Sequence, residues 1–265
     1  MPLRSQIVTL TTDFGYQDQY VGAMKGVMLS VSPELRFIDI SHGVPPQDVL
    51  AGAWILKNSA FLYPAGTVHL AVVDPGVGTP RKPVAVKIGD QFFVGPDNGI
   101  IPLVADGEPY EAYHLTNTSF WFSQRSNTFH GRDIFSPVAA SIAAGAELHE
   151  VGQKMDELSM YRWAVPTSDS EGIQGWVVHI DFYGNLISNI SKELFLSVTH
   201  GKPFKIYVGN VILSELSHTF GNVPDGEPAA VIGSSGMLEI IINKGNAQQM
   251  LGTEKGAPVS VLCKH

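Results

Sequence analysis

Two short stretches bring together residue types that can activate an oxygen nucleophile or hold an anion. In VVDPGVGTPRK (72–82) a carboxylate, Asp74, closes an apolar run, and a guanidinium, Arg81, follows seven positions later. In TFHGRDIFSPVAA (128–140) His130 and Arg132 stand beside Asp133, just ahead of a helical pattern. Imidazole, guanidinium and carboxylate groups can take up a proton, polarise an oxygen and stabilise charge as it develops. Further acids fall at the ends of predicted strands: Asp13 after IVTLTT, Asp39 with His42 near the end of LRFIDIS, and Asp97 in VGPDNG. Ligand sites of parallel α/β sheets lie beyond the carboxyl ends of the strands, so acids converging on one edge point toward function. Each acid alone is equally a turn former or a helix cap, Asp133 included, and His130 alone reads as a loop residue bonded to backbone.

Two other readings compete. An apolar run followed by D-x-G-x-G is the pattern of a cofactor-cradling loop in Rossmann-type methyltransferases, which requires a helix directly after the glycines. Here Thr79-Pro80-Arg81-Lys82-Pro83 follows, and two prolines three residues apart forbid that helix. The stretch reads instead as a stiff loop holding Arg81 at a fixed distance from Asp74. A hydrolytic metal centre is the second competitor, drawing on Asp13, Asp18, Asp39, His42, Asp74, Asp97, His130 and Asp133. Their spacing matches no HxH, HExxH or DxDxDG pattern.

The elements that must position these groups are legible as periodicity. IVTLTT (7–12), LRFIDIS (35–41), TVHLAVV (67–73) and PVAVKIGDQFFVGP (83–96) predict strands. YVGAMKGVMLSV (20–31), residues 45–63 with Pro45 and Pro46 at the entry, and FSPVAASIAAGA (135–146) predict helices. This alternation predicts an α/β N-terminal domain with a mostly parallel central sheet. Beyond about residue 163 the texture changes to β-branched runs split by Gly, Asn, Asp and Pro, with one weak helical pattern near 245–251. That spacing suits a smaller all-β C-terminal domain, barrel or sandwich. The expected division is 1–163, a polar linker at 164–175, and 176–265.

Composition narrows the partners. A formal charge of −8 over 265 residues argues against nucleic acid or an anionic membrane surface. The single cysteine, Cys263, cannot form an internal disulfide. No apolar run is long enough to span a bilayer, and the N-terminal segment lacks a signal-peptide core, so a cytoplasmic protein is expected.

Seven stretches occur in order across almost the whole chain: TLTTDFGYQDQYVGAMKG, FIDISHGVPPQD, AVVDPGVGT, FVGPDNG, TFHGRDIFSPVAA, HIDFYGNLISNI and IGSSGMLEI. Together they resemble the S-adenosyl-L-methionine hydroxide adenosyltransferases, hydrolase relatives of the fluorinases and chlorinases. The resemblance implies an α/β domain followed by a β-barrel, assembled as a homotrimer with the active site between the N-domain of one subunit and the C-domain of its neighbour. It implies attack of water or hydroxide on the ribose 5′ carbon of S-adenosyl-L-methionine, giving adenosine and L-methionine without metal or cofactor. The sulfonium leaves as a neutral thioether, so the site needs only a positioned, partly desolvated oxygen in line with the C–S bond.

By motif, the implied catalytic positions are Asp74, Arg81 and His130. Arg81 and His130 would hold and polarise the oxygen, with Asp74 orienting them and favouring proton loss. Asp13 would grip both ribose hydroxyls, Asp18 and Asp181 would lie near the methionyl ammonium, and Ser234 and Ser235 near its carboxylate. Asn185 would bond the adenine, although after Gly184 it also reads as a turn residue. Tyr63 or Phe129 would pack on ribose or adenine. Halogenases of this type lack the His of FHG, so His130 favours water over halide. Gln47, standing where the fluorinase has a large aromatic, points the same way. Gly131 does not discriminate, because some chlorinases carry Gly there. Halogenation, a non-catalytic S-adenosylmethionine or adenosine sensor, and a metal-dependent phosphoesterase remain the alternatives.

Overall fold

Ile7–Thr12 (β1) has β-branched side chains at five of six positions and is buried throughout, as an interior strand covered on both faces must be. In the computed structural model, which describes residues 5–161 and 165–263, β1 pairs in parallel with Arg36–Ser41 (β2) and Val68–Val72 (β3). Gln91–Pro96 (β5) joins β3 in parallel. Pro83–Ile88 (β4), Tyr110–His114 (β6) and Gln153–Met155 (β7) then extend the sheet antiparallel, in the order β2-β1-β3-β5-β4-β6-β7. The mostly parallel sheet of the sequence reading is therefore parallel at its core and mixed toward one edge. The cause is local: Ile88 pairs with Gln91, so Gly89-Asp90 closes β4 and β5 into a two-residue hairpin, which can join only antiparallel strands.

Tyr20–Val31 (α1) and Ser136–Ala143 (α4) cover one face. Met24 and Met28 from the first and Val138 and Ile142 from the second share a buried cluster with Val8, Leu10 and Leu70. Val49–Lys57 (α2) and Ile100–Ala105 (α3) pack against each other on the opposite face. α2 is shorter than expected. Its start is fixed by Asp48, whose side chain accepts from the Ala51 amide at 2.9 Å, and Gln47 before it has φ +66°, which no helix continues through. α3, unpredicted because Pro102 lies inside it, is followed at some distance by the short helix Leu148–Val151 (α5).

The chain divides into two compact units, Met1–Arg162 and Trp163–His265; the expected boundary at residue 163 lies outside the described residues. The second unit holds Thr167–Ser168 (β8), Gly172–Ile180 (β9), Leu186–Ser191 (β10), Lys192–Thr199 (α6), Phe204–Val208 (β11), Val211–Leu213 (β12), Pro228–Ile232 (β13), Met237–Ile242 (β14), Ala247–Leu251 (α7) and Pro258–Cys263 (β15). Its strands form one antiparallel sheet in the order β12-β11-β15-β9-β10-β14-β13, with β8 on β9. Just beyond β12, the Ser217 amide donates to the Ala230 carbonyl of β13 at 2.8 Å, which brings the two edges together as a nearly closed barrel. Residues expected as linker carry β8 and the start of β9. LFLSV (194–198), which by its apolar run alone belongs with the C-terminal strands, lies instead in α6: Ser191 caps the helix through the Leu194 amide, and Phe195 and Thr199 bury one face at helical spacing.

The β9–β10 turn depends on Gly184. It sits at φ +83°, and a Cβ there would stand 2.2–2.3 Å from the Asn246 side chain. Gly184→Ala is expected to destabilise the protein by roughly 1–3 kcal/mol. Urea titration followed by far-ultraviolet circular dichroism measures this, and an unchanged midpoint would show that the turn tolerates a side chain.

Candidate active site

β3 delivers Asp74 to the carboxyl edge of the sheet, where the chain enters successive turns rather than a helix, as the prolines dictate. The Thr79 amide and hydroxyl both donate to the Gly76 carbonyl, at 3.0 and 2.7 Å. The folded loop turns Arg81 back onto Asp74. Its Nε lies 3.0 Å from each carboxylate oxygen, and Nη2 closes a shorter contact to Oδ2. Gly76 lies beneath the arginine stem, where a Cβ would approach Arg81 Cγ to 3.1 Å. The guanidinium also stands 5.1 Å from the centroid of the fully buried Phe135 ring. Both charged side chains are more than nine-tenths buried.

Arg81 Nη2 also lies 2.9 Å from His130 Nδ1. A guanidinium has donors and no acceptor, so Nδ1 must be the acceptor and the imidazole proton resides on Nε2. Burial, reinforced by the Arg81 charge, holds the His130 pKa below the usual imidazole value, with Asp74 offsetting only part. His130 is thus a neutral ring whose remaining polar group is a donor.

His130 leads into a π-helical turn, Gly131–Phe135, whose wider ring is closed by the Ser136 amide on the Gly131 carbonyl. Pro137 shows why the helix does not simply run on. It cannot donate to the carbonyl four residues back, that of Asp133, and this carbonyl accepts from the Phe122 amide at 2.8 Å instead. Asp133 is fully buried and does not cap α4. Its carboxylate accepts from the Ser126 amide at 2.6 Å and from Arg132 Nε at 2.5 Å, anchoring the preceding loop.

A cleft of about 370 Å³ opens beside these groups, lined by Asp13, Phe14, Tyr20, Gln47, Asp74, Phe129, His130 and neighbouring residues. Phe14, Tyr20 and Phe129 form an aromatic wall with ring centroids 5.2–6.0 Å apart. Asp13 Oδ2 accepts from the Gln47 amide at 2.8 Å, a donor aimed there by that residue's left-handed backbone. Of the strand-end acids, only Asp13 and Asp74 line the cleft. Asp97 binds the Ser159 amide and hydroxyl at 2.7 and 3.0 Å, and Asp39 accepts from Lys25 at 2.7 Å. Burial alone would raise Asp39, but the Lys25 ammonium bonded to it and the adjacent His42 ring outweigh it and lower its pKa. Asp18 is exposed and outside the cleft lining. Tyr63 packs on His69 at the amino end of β3, away from the cleft.

In the second unit Asp181 and Asn185 are partners. Asp181 Oδ1 accepts from the Tyr183 and Asn185 amides, both at 2.9 Å, and Oδ2 from Asn185 Nδ2 at 2.8 Å. Ser234 and Ser235 occupy the β13–β14 turn. Sequence reasoning missed Glu239, which is buried, lies 3.5 Å from Ser235 Oγ, and has a pKa raised by burial and then by the charge of Asp181. Its signal was available: an acid inside the apolar run MLEIII. Among the described residues, no three His, Cys, Asp or Glu side chains gather to hold a metal ion, and no helix is long and apolar enough to cross a membrane.

A carboxylate–guanidinium–imidazole chain at the rim of a cleft, on an α/β unit followed by a near-barrel, is machinery for holding a small oxygen nucleophile or anion. Comparison with known proteins makes this specific. Residues 8–152 match the SAM hydroxide adenosyltransferase N-terminal domain and residues 175–260 its C-terminal domain, and the chain belongs to this family. A protein of Salinispora tropica named (R)-S-adenosyl-L-methionine hydrolase is 38% identical over 253 residues, 94% of this chain and 95% of that one. One of the same name from Thermus thermophilus is 35% identical over 96% of this chain and 99% of its own. The crystal structure of an uncharacterized conserved protein from Thermotoga maritima superposes with a TM-score of 0.90 at 35% identity, covering 97% of this chain and all of that one.

Nitrogen-detected NMR of the histidines is expected to show His130 in the Nε2–H form, titrating below 6.5. With the folded value depressed, the neutral ring's contribution to stability is complete above pH 6.5 and declines as pH falls through the His130 value. A His130 midpoint above 6.5 would contradict the guanidinium contact.

Proposed function

We propose that the chain hydrolyses S-adenosyl-L-methionine at the ribose 5′ carbon, releasing adenosine and L-methionine. The carrying observation is the Asp74–Arg81–His130 chain at the cleft rim, in a member of a family whose relatives bear the hydrolase name. The C5′–O bond forms as the C–S bond breaks. The sulfonium takes the bonding pair and departs as a neutral thioether, and the attacking water gives up one proton to bulk solvent. Because no leaving group needs protonation, the protein's task is to hold the oxygen and stabilise its developing negative charge.

Arg81 and the His130 Nε2–H are suited to that task. The Asp74 fork fixes the guanidinium plane, and His130 cannot accept the proton at Nδ1 while Arg81 occupies it. Asp74 favours proton loss by holding both groups in register. Asp13 receives the ribose diol, and Phe14, Tyr20 and Phe129 offer ring faces to the adenosyl group or its sulfonium. Asp181, Asn185, Ser234 and Ser235 receive the adenine and methionyl ends. Asp18 is a weaker member of this set, since it lies outside the cleft lining. Neither metal nor cofactor takes part, and the enzyme works in the cytoplasm as a homotrimer in which a neighbouring subunit completes each site. The exposed Phe182 and Tyr183 beside Asn185 are consistent with a surface that is covered in an assembly.

Incubation with S-adenosylmethionine and EDTA in chloride buffer is expected to give adenosine and methionine by chromatography. A 5′-chlorinated nucleoside would instead identify a halogenase, and loss of turnover with EDTA a metal enzyme. His130→Ala and Asp74→Asn should each lower kcat by about 10²–10⁴, while sedimentation of the wild type should report three chains.

A further inference from the structure

Behind the cleft a second chain of polar groups runs through the interior, and no step of the reaction uses it. Thr12, the last residue of β1 and fully buried, accepts from the Phe14 amide at 3.3 Å. Its hydroxyl lies 2.7 Å from His42 Nδ1. The Asp39 carboxylate beside Nε2 favours the ring proton on that nitrogen, so that Nδ1 accepts from the Thr12 hydroxyl. Asp39 Oδ1 stands 3.1 Å from Nε2 in a short but poorly aligned contact, an electrostatic tie rather than a linear hydrogen bond. Lys25 closes the chain on Asp39 Oδ2 at 2.7 Å. Burial lowers the His42 pKa, with Asp39 opposing only in part, so the ring remains neutral.

Every residue of the loop 13–16 is tied to this chain or flanked by ties to it. Besides the Phe14 amide, the Gly15 amide donates to the His42 carbonyl at 2.8 Å. The Tyr16 ring meets the His42 ring edge-on at 4.8 Å, and its hydroxyl reaches Asp39 Oδ2 at 3.4 Å. The Asp13 carboxylate is held from the cleft side, through the Gln47 amide. Fixing the Phe14 and Gly15 amides and the Thr12 and Tyr16 side chains leaves the Asp13 carboxylate little freedom to turn. A carboxylate that grips two vicinal hydroxyls depends on orientation more than on charge.

We propose that Thr12 and His42, with Asp39 and Lys25 behind them, are positioning residues that set the Asp13 carboxylate for the ribose diol and so determine selectivity for ribonucleosides over deoxyribonucleosides. The proposal rests on the ribose-binding reading of Asp13. It is tested by calorimetric titration of the full-length protein with adenosine and with 2′-deoxyadenosine. The wild type should bind adenosine more tightly. Thr12→Val, close in shape but without the hydroxyl, should weaken adenosine by about tenfold and deoxyadenosine much less, narrowing the ratio. Thr12→Ser should restore the ratio, because it restores the hydroxyl.

A purely structural role would lower the amount of binding-competent protein and leave the ratio of the two affinities unchanged; that result overturns the proposal. Asp39→Asn, at a half-buried position, cuts the chain at its far end and should narrow the ratio in the same direction, which covers the case in which Thr12→Val does not fold. If the wild type fails to distinguish the two nucleosides, the ribose reading itself falls. If it distinguishes them and both Thr12→Val and Asp39→Asn keep the full ratio, only the positioning role falls.

Discussion

A guanidinium offers five donors and no acceptor, and that asymmetry governs the N-terminal half of this molecule. Once Arg81 is pinned across Asp74, every polar group within its reach must present a lone pair. His130 does so with Nδ1, and its tautomer follows without any further contact. Phe135 supplies a ring edge or face where a further polar group would need its own partner. The pair is more than nine-tenths buried, so removing either partner would leave an uncompensated charge in a medium that solvates it poorly. Sheet, turn and helix are arranged around that constraint: β3 ends just before the acid, the prolines bend the loop back, and the π-helical turn ahead of α4 starts at the imidazole.

The acids at the sheet edge show how one residue type is divided among tasks by its neighbours. Asp97 and Asp133 spend their lone pairs on backbone amides of loops that would otherwise lack partners. Asp39 is committed to Lys25 and His42. Asp13 and Asp74 alone of the strand-end acids face a cleft, and each is held by a donor that leaves part of its carboxylate available. An acid at a strand end therefore keeps lone pairs available to a cleft only when its own loop does not consume it.

This also explains what could be read in the sequence. The interior strands, α1, and the pairing of Asp74 with Arg81 were legible because period, proline and short sequence separation each act locally. The convergence of His130 on that pair came from family resemblance, since forty-nine residues separate it from Arg81. The hairpin that turns the sheet mixed was written in Gly89-Asp90, and α6 was hidden because its apolar residues resemble a strand until the cap at Ser191 is recognised. Gln47's left-handed backbone is imposed by tertiary contacts, and no window of sequence contains it, whereas the burial of Glu239 was signalled by the apolar run around it. Asp133 reads as a helix cap by position, and only the loop folded over it reveals its partner.

The π-helical turn before α4 has a consequence for how this site can change over generations. Such a turn is an α-helix with one residue too many, and each residue of an α-helix advances the chain by about 100°. Loss of a single codon between 131 and 135 would restore ordinary register and swing everything before it around the helix axis by that angle. The imidazole would leave Arg81 while the core behind α4 stayed intact. The ring's place in the site is thus held by chain length as well as by composition. A lineage could abandon the chemistry in one step and keep the fold.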